Sequence, residues 1–164
     1  ENAGLDFELA YKQPLLDGDI SLRMLANRSL KDETTAPGGT PNNSLGDANT
    51  PKWRGTFQAT YAQGDWSVFL QERIVGPANI DVRDIEGVDI DDNSQPLYAY
   101  TTIGASYDLN LGGGQQQLFV NVRNLLNTDP PVAPEPPTSF NGNPTASIYD
   151  RYGRYFTAGI RFEW

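Results

Sequence analysis

Read alternately, the last eleven residues of the chain, Arg154 to Trp164, fall into two sets. Phe156, Ala158, Ile160, Phe162 and Trp164 form one; Tyr155, Thr157, Gly159, Arg161 and Glu163 form the other. Successive side chains of a β-strand point to opposite faces, so the pattern predicts a strand with one wholly apolar side and one polar side. About 11 residues is also the length a tilted strand needs to cross a bilayer. The same two-residue period recurs along the chain, and it constrains the fold more than any other feature.

Six further segments carry it. From about Gly4 to Gln13, Leu5, Phe7, Leu9 and Tyr11 oppose Asp6, Glu8, Ala10 and Lys12. Pro14 is expected to end this strand, and Asp17-Gly18 to make a tight turn. From Asp19 to about Leu30, Ile20, Leu22, Met24 and Ala26 oppose Ser21, Arg23 and Asn27, with Leu25 intruding on the polar side. From Lys52 to Ala62, Trp53, Gly55, Phe57, Ala59 and Tyr61 oppose Arg54, Thr56, Gln58 and Thr60. A turn at Gln63-Gly64-Asp65 leads to a strand from Trp66, with Val68 and Leu70 opposite Ser67, Phe69, Gln71 and Arg73. Leu97 to Leu109 and Gln116 to Asn124 follow, joined by a glycine-rich turn from Asn110 to Gln115. Polar segments rich in Gly, Pro, Asn and Thr fill Lys31–Pro51, Gly76–Pro96 and Leu125–Gly153, and these read as long loops.

The connections therefore run short, long, short, long, short, long. A transmembrane antiparallel barrel has this signature, with short periplasmic turns and long extracellular loops. A mean hydropathy of -0.52 is compatible with it, because lipid-facing and lumen-facing residues alternate and the average looks soluble. No run of about 18 apolar residues occurs, so no transmembrane helix is expected. A soluble β-sandwich binding module, such as a lectin, and a passive porin-type channel remain as alternative readings.

Charge and composition exclude much else. A net charge of -9 argues against nucleic acid, which calls for a basic face. Without Cys or His, the chain lacks disulfides, thiolate metal sites, the usual zinc ligands and the Ser-His or Cys-His nucleophile pairs. No pair of carboxylates is placed across a cleft, so an enzyme is not expected, and no cofactor is called for. Seven strands are too few for a closed bacterial barrel, which has an even number of at least eight. An open sheet would leave backbone groups unpaired in hydrocarbon at several kcal/mol each. No signal peptide opens the sequence at Glu1-Asn2-Ala3-Gly4, and the chain is expected to be the later part of a longer protein.

Phe119-Val120-Asn121-Val122-Arg123-Asn124-Leu125-Leu126-Asn127, then Tyr149-Asp150-Arg151-Tyr152-Gly153-Arg154, then the terminal strand, resembles the C-terminal end of TonB-dependent receptors, the plugged barrels of Gram-negative outer membranes. In that family an Asn-Leu-hydrophobic-Asn/Asp motif closes the penultimate strand, here Asn124, Leu125 and Asn127, and a Gly-Arg pair, here Gly153 and Arg154, opens the last. A terminal aromatic is read by the barrel-assembly machinery; Trp164 resembles it, with Ile160 and Phe162 as alternating partners. Trp in place of the more usual Phe is a departure, as is Thr128-Asp129-Pro130-Pro131 where many relatives carry an aromatic.

The resemblance implies that residues 1–164 are the last seven strands of a 22-stranded all-β transmembrane barrel, integral to the outer membrane. The plug and its segment contacting TonB–ExbB–ExbD would lie upstream. The partners implied are the remaining strands, the plug, the assembly machinery, and outer-membrane lipid and lipopolysaccharide. The activity implied is active uptake of a siderophore, cobalamin or oligosaccharide.

Candidate ligand contacts are Arg73 and Arg123 on the polar faces, and Phe140, Tyr149 and Tyr152 on a last loop stiffened by Pro130, Pro131, Pro134, Pro136 and Pro137. The other charged residues of the polar faces read as lining water and pairing with the plug. Trp53, Trp66, Tyr61 and Tyr107 are expected at the bilayer interfaces. Asp81, Asp84, Glu86, Asp89, Asp91 and Asp92, offset by Arg83, make the middle loop acidic. Asp89, Asp91 and Asn93 have the one-three-five spacing of a calcium loop but lack its glycine and its closing acid, so a solvated acidic loop is the expectation. A charge placed at Val120 or Ile160 should destabilise the barrel by roughly 2–4 kcal/mol if these face the bilayer midplane, and one at Thr157 should be nearly silent. Loss of the heat-modifiable band on gels for the first two variants, and its retention for the third, is the measurement.

Overall fold

The structure, a computed structural model, describes residues 1–110, 114–131, 148–150 and 152–163. Phe140, Trp164, Arg151 and the prolines Pro134, Pro136 and Pro137 lie outside them. The strands are β1 (Asn2–Leu15), β2 (Gly18–Thr34), β3 (Asn42–Asn43), β4 (Trp53–Gln63), β5 (Trp66–Val75), β6 (Ala78–Asn79), β7 (Ser94–Gln95), β8 (Tyr98–Asn110), β9 (Gln115–Arg123) and β10 (Tyr155–Glu163). The seven long ones form an antiparallel meander in the order β1-β2-β4-β5-β8-β9-β10. Short turns join them on one side and long loops on the other. No helix occurs among the described residues.

The sheet is a single layer. Phe7, Leu9, Val120 and Ile160, all on its apolar face, are 46%, 59%, 44% and 54% exposed, and no second sheet packs on them among the described residues. A sandwich needs that second layer. The buried apolar cluster, Ala48, Val75, Tyr98, Tyr100 and Tyr149, sits instead among the long loops and the strand ends that carry them.

The register orients the sheet. Tyr11 pairs with Leu22, Leu22 with Ala59, Ala59 with Leu70, Leu70 with Ile103, Ile103 with Val122, and Val122 with Phe156. This row starts near the turn side of β1 and ends at the loop side of β10. The outward aromatics nearest the turns do not follow the row. They descend across it: Tyr11 on β1, Tyr61 on β4, Trp66 on β5, Tyr107 on β8 and Phe162 on β10. From Tyr11 to Phe162 the line drops six residues over six strand-to-strand steps. With a rise of about 3.3 Å per residue and strands about 4.8 Å apart, that stagger is level only when the strands lean by about 35°. Spanning barrels lean by this much, and the line is then a flat aromatic girdle. Adjacent members touch: the Tyr61 and Trp66 ring centroids are 5.5 Å apart.

One ionisable group stands inside the apolar face. Glu72 lies between Phe57 and Thr101 in the register, and the Thr101 hydroxyl donates to its Oε2 at 2.6 Å. The polar face is zipped by side chains. Arg23 pairs with Glu8 at 2.8 Å, Asn27 donates to Asp6 at 2.7 Å, Gln58 to Gln71 at 2.8 Å, and Gln117 to Asp108 at 2.8 Å. Phe69 lies over Gly104, and Phe119 over Gly159, each across a strand pair.

Several sequence expectations are corrected. Pro14 does not end β1; it stays in register with Asp19, as an edge strand tolerates. The first turn is Leu16-Asp17, with Leu16 at φ 55, and Gly18 already opens β2. Gly18 is required by crowding, since a Cβ there would lie 2.3 Å from the Ala62 carbonyl oxygen. β2 runs on to Thr34, past the expected end at Leu30. The first two long loops are not wholly irregular: β3 pairs with β2, and β6 with β7. Gly64, by contrast, sits in its expected turn with φ 56 and open space around it. Gly18→Ala should therefore destabilise the sheet by about 1–3 kcal/mol, through overpacking against backbone that cannot yield. Gly64→Ala should act only through its positive φ, and urea titration of both variants refolded into detergent should show Gly18→Ala as the weaker.

Candidate functional site

The long loops gather at the ends of β5 and β8. Residues 44–50 of the first loop fold on themselves, with Gly46 N donating to the Thr50 carbonyl at 2.8 Å. They dock on the second loop: Asn79 N donates to Gly46 O at 2.7 Å, and Val82 N to Asp47 Oδ1 at 2.6 Å. Burial raises the Asp47 carboxyl above its ordinary pKa, against the opposing pull of the Val82 amide. The third loop is tied in by Arg73. Its guanidinium donates to the Tyr100 hydroxyl at 2.7 Å and to the Ile148 carbonyl at 3.1 Å, and stacks 5.7 Å from the Tyr100 ring centroid. Tyr149 meets Tyr98 edge-on at 5.2 Å and is 4% exposed, and burial raises its hydroxyl pKa.

The sequence candidates thus divide. Arg73 and Tyr149 are inside the loop junction, where they hold loop against wall. Arg123 and Tyr152 stand at the open rim of the last hairpin. Arg123 donates to the Tyr155 hydroxyl at 2.6 Å and stacks on its ring, while Tyr152, 75% exposed, packs edge-on to Tyr155 at 6.4 Å. Tyr155 was not singled out from sequence, where it reads as one more polar-face residue. Phe140 lies outside the described residues.

Asn124, Leu125, Asn127, Gly153 and Arg154 form a clasp. Asn124, fully buried with φ 50, donates its Nδ2 to Thr128 O at 2.9 Å and accepts from Thr128 N at 2.8 Å. Leu125 N donates to Thr101 O at 2.8 Å. Arg154 N donates to Asn127 Oδ1 at 2.8 Å. A Cβ on Gly153 would lie 3.0 Å from that same oxygen. The clasp brings the end of β9 to the start of β10, and its chemistry is that of a chain fastening. Ile160 and Phe162 lie on the outer face of β10, 54% and 56% exposed, and Trp164 lies outside the described residues.

At the calcium-like spacing, Asn93 and Asp89 use their side chains on backbone groups. Asn93 is 4% exposed, and its Nδ2 donates to Asp81 O at 2.8 Å and Asp84 O at 2.9 Å, while its Oδ1 accepts from Asp81 N. Asp89 accepts from Ile85 N at 2.9 Å. No cluster of metal ligands forms among the described residues. The loop's charge is partly neutralised locally: Arg83 pairs with Asp81 and lowers its pKa, and the Ser94 hydroxyl and amide lower that of Asp92.

On the inner wall below the junction a groove of about 560 Å³ is lined by Asp6, Glu8, Leu25, Asn27, Arg54 and Arg73, among others. Leu25, which broke the polar pattern, lies in it. Because the folded-state pKa of Asp47 is raised, its contribution to the loop junction is fully present below the ordinary carboxylate pKa and is lost as pH rises through the raised value. Asp47→Asn should therefore slow hydrogen exchange at the Val82 amide at neutral pH relative to the parent chain, with the difference vanishing in acid. Asp47→Ala should speed it in acid, where the bond to the neutral carboxyl is lost.

Comparisons with curated proteins and with solved structures give no match. The family model described as TonB dependent receptor-like, beta-barrel, matches residues 1–125. That span takes in β1 to β9 and stops at the first two residues of the clasp. Single-layered spanning strands, the level aromatic line and the match lead to one assignment: the chain belongs to the TonB-dependent receptor β-barrel family of bacterial outer-membrane transporters.

Proposed function

We propose that this chain is one arc of the wall of a plugged receptor, together with three of its extracellular loops. In this reading the receptor takes up a scarce ligand of the siderophore, cobalamin or oligosaccharide class. The observation that carries the proposal is the loop junction around Arg73. Two loops bound to each other, and the described part of the third bound to the wall beside them, make a pre-shaped outer vestibule, which suits capture of a rare ligand better than free diffusion through an open pore. The free edges of β1 and β10 would pair with the remaining strands, as backbone groups facing hydrocarbon require.

The chain's own side chains divide the work. Outer-face residues hold the arc in lipid. The rim group of Arg123, Tyr152 and Tyr155 offers a cation and aromatic rings to a ligand arriving from outside. The inner wall's hydrogen-bonded ladder keeps the arc rigid while a plug domain is moved by TonB–ExbB–ExbD. No bond in the ligand is made or broken. A passive channel is the second reading, favoured by the water-lined inner face alone.

Uptake by cells carrying the intact receptor separates the two. Across a panel of ferric siderophores, cobalamins and oligosaccharides, one class should accumulate against its gradient, and a protonophore should abolish that accumulation. Uptake that is indifferent to the protonophore and equilibrates passively would establish the channel instead.

A further inference from the structure

The outer face of the sheet changes character at one level, and the residue standing there has no counter-charge among the described residues. From Ile20 to Ala26 the outward side chains of β2 are uncharged; Arg28, Lys31 and Glu33 then follow. Arg28 lies between Leu5 and Trp53 in the register. On the stagger found above it stands about 19 Å above the turn-side aromatic line, and Trp53 about 22 Å. An apolar band of about 25 Å separates the two interfaces of a spanning barrel, so the pair stands roughly 3–6 Å below the extracellular interface, a distance that a long arginine side chain spans by reaching up to the headgroups.

The two outward cations of the long strands differ in their partners. Lys31 is bridged to Glu1 at 2.7 Å and to Glu33 at 2.8 Å. The Arg28 guanidinium lies 4.9 Å from the Trp53 ring centroid, and no carboxylate among the described residues is within ion-pair distance of it. Stacking on an indole fixes the plane of a guanidinium and leaves its N–H edge able to bond elsewhere. That planar fork matches two phosphate oxygens at once. In a chain of net charge -9, an exposed, pre-oriented arginine without an ion-pair partner among the described residues, within side-chain reach of the headgroups, is a local complement to an anion.

We propose that Arg28, held by Trp53, binds a phosphate group on an outer-leaflet lipid. The proposal rests on the barrel reading, because only that reading sets the outer face against lipid. The shared chemistry is a phosphate monoester or diester, and lipid is the source to which the position points.

Native mass spectrometry of the intact receptor in detergent tests it, with micelles doped with phosphatidic acid or with the phosphate-free diacylglycerol, and with inorganic phosphate as a separate competitor. The parent receptor should retain phosphatidic acid over diacylglycerol. Arg28→Ala should lower that retention on the order of tenfold, the scale of one charge-assisted bond. Arg28→Lys should keep part of it, because the charge remains and the fork is lost. Equal retention in the parent and Arg28→Ala overturns the proposal. So does displacement of the lipid by equimolar inorganic phosphate, which would make this a free-anion site, or co-purification of a protein at Arg28 in place of lipid. Failure of the barrel reading looks different: the parent receptor itself would show no heat-modifiable band, whatever residue stands at position 28.

Discussion

Hydrocarbon on one side of the sheet and water on the other is the constraint from which the rest follows. A backbone amide facing lipid without a partner costs several kcal/mol, so every strand that crosses must pair along its length. Pairing in turn locks the register, and register decides which residues share a face, because a slip of one position would turn Phe7 and Leu9 inward and Asp6 and Glu8 into lipid. The stagger of one residue per strand is the visible trace of this coupling. It brings Tyr11, Tyr61, Tyr107 and Phe162, which are not paired with one another, to a common depth. Glu72 is the exception on the apolar face, and the Thr101 hydroxyl supplies the hydrogen bond that lipid cannot.

The strands were legible from the sequence because a two-residue period survives any change in the loops. Trp53 to Tyr61 and Phe156 to Phe162 report their faces without reference to the rest of the molecule. Strand ends were less legible. Nothing local to Leu16 announces a positive φ, and Gly18 reads as a turn glycine until Ala62 and Tyr61 are seen to crowd it. The loops were the least legible. Asp47 and Val82 are far apart in sequence, and so are Arg73 and Ile148. No periodicity links such pairs; only the folded wall brings the loops within reach. The calcium-like spacing at Asp89, Asp91 and Asn93 shows a related limit. Spacing alone cannot tell side chains that converge on an ion from side chains that cap backbone amides, and here the second use prevails.

Polar groups on the inner wall illustrate how charge can serve shape. Glu8 and Arg23 are both more than half exposed, so their ion pair is worth little in stability. Its effect is geometric. Together with Asn27 on Asp6 and Gln58 on Gln71, it fixes side-chain positions across β1, β2, β4 and β5. The Phe69–Gly104 and Phe119–Gly159 pairs act alike further along the sheet, each ring covering a backbone with no side chain of its own.

Stiff wall and fastened loops have a joint consequence. The Asn124–Asn127 clasp ties β9 to β10 at the rim, where Arg123, Tyr155 and Tyr152 are grouped. Arg73 ties the third loop to β8 one hairpin away. The rim group therefore stands beside a clasp fastened to the wall, whose outward face carries aromatics at the turn side and Trp53 at the loop side. Fastenings at both places restrain the described ends of the last loop against the strands they join.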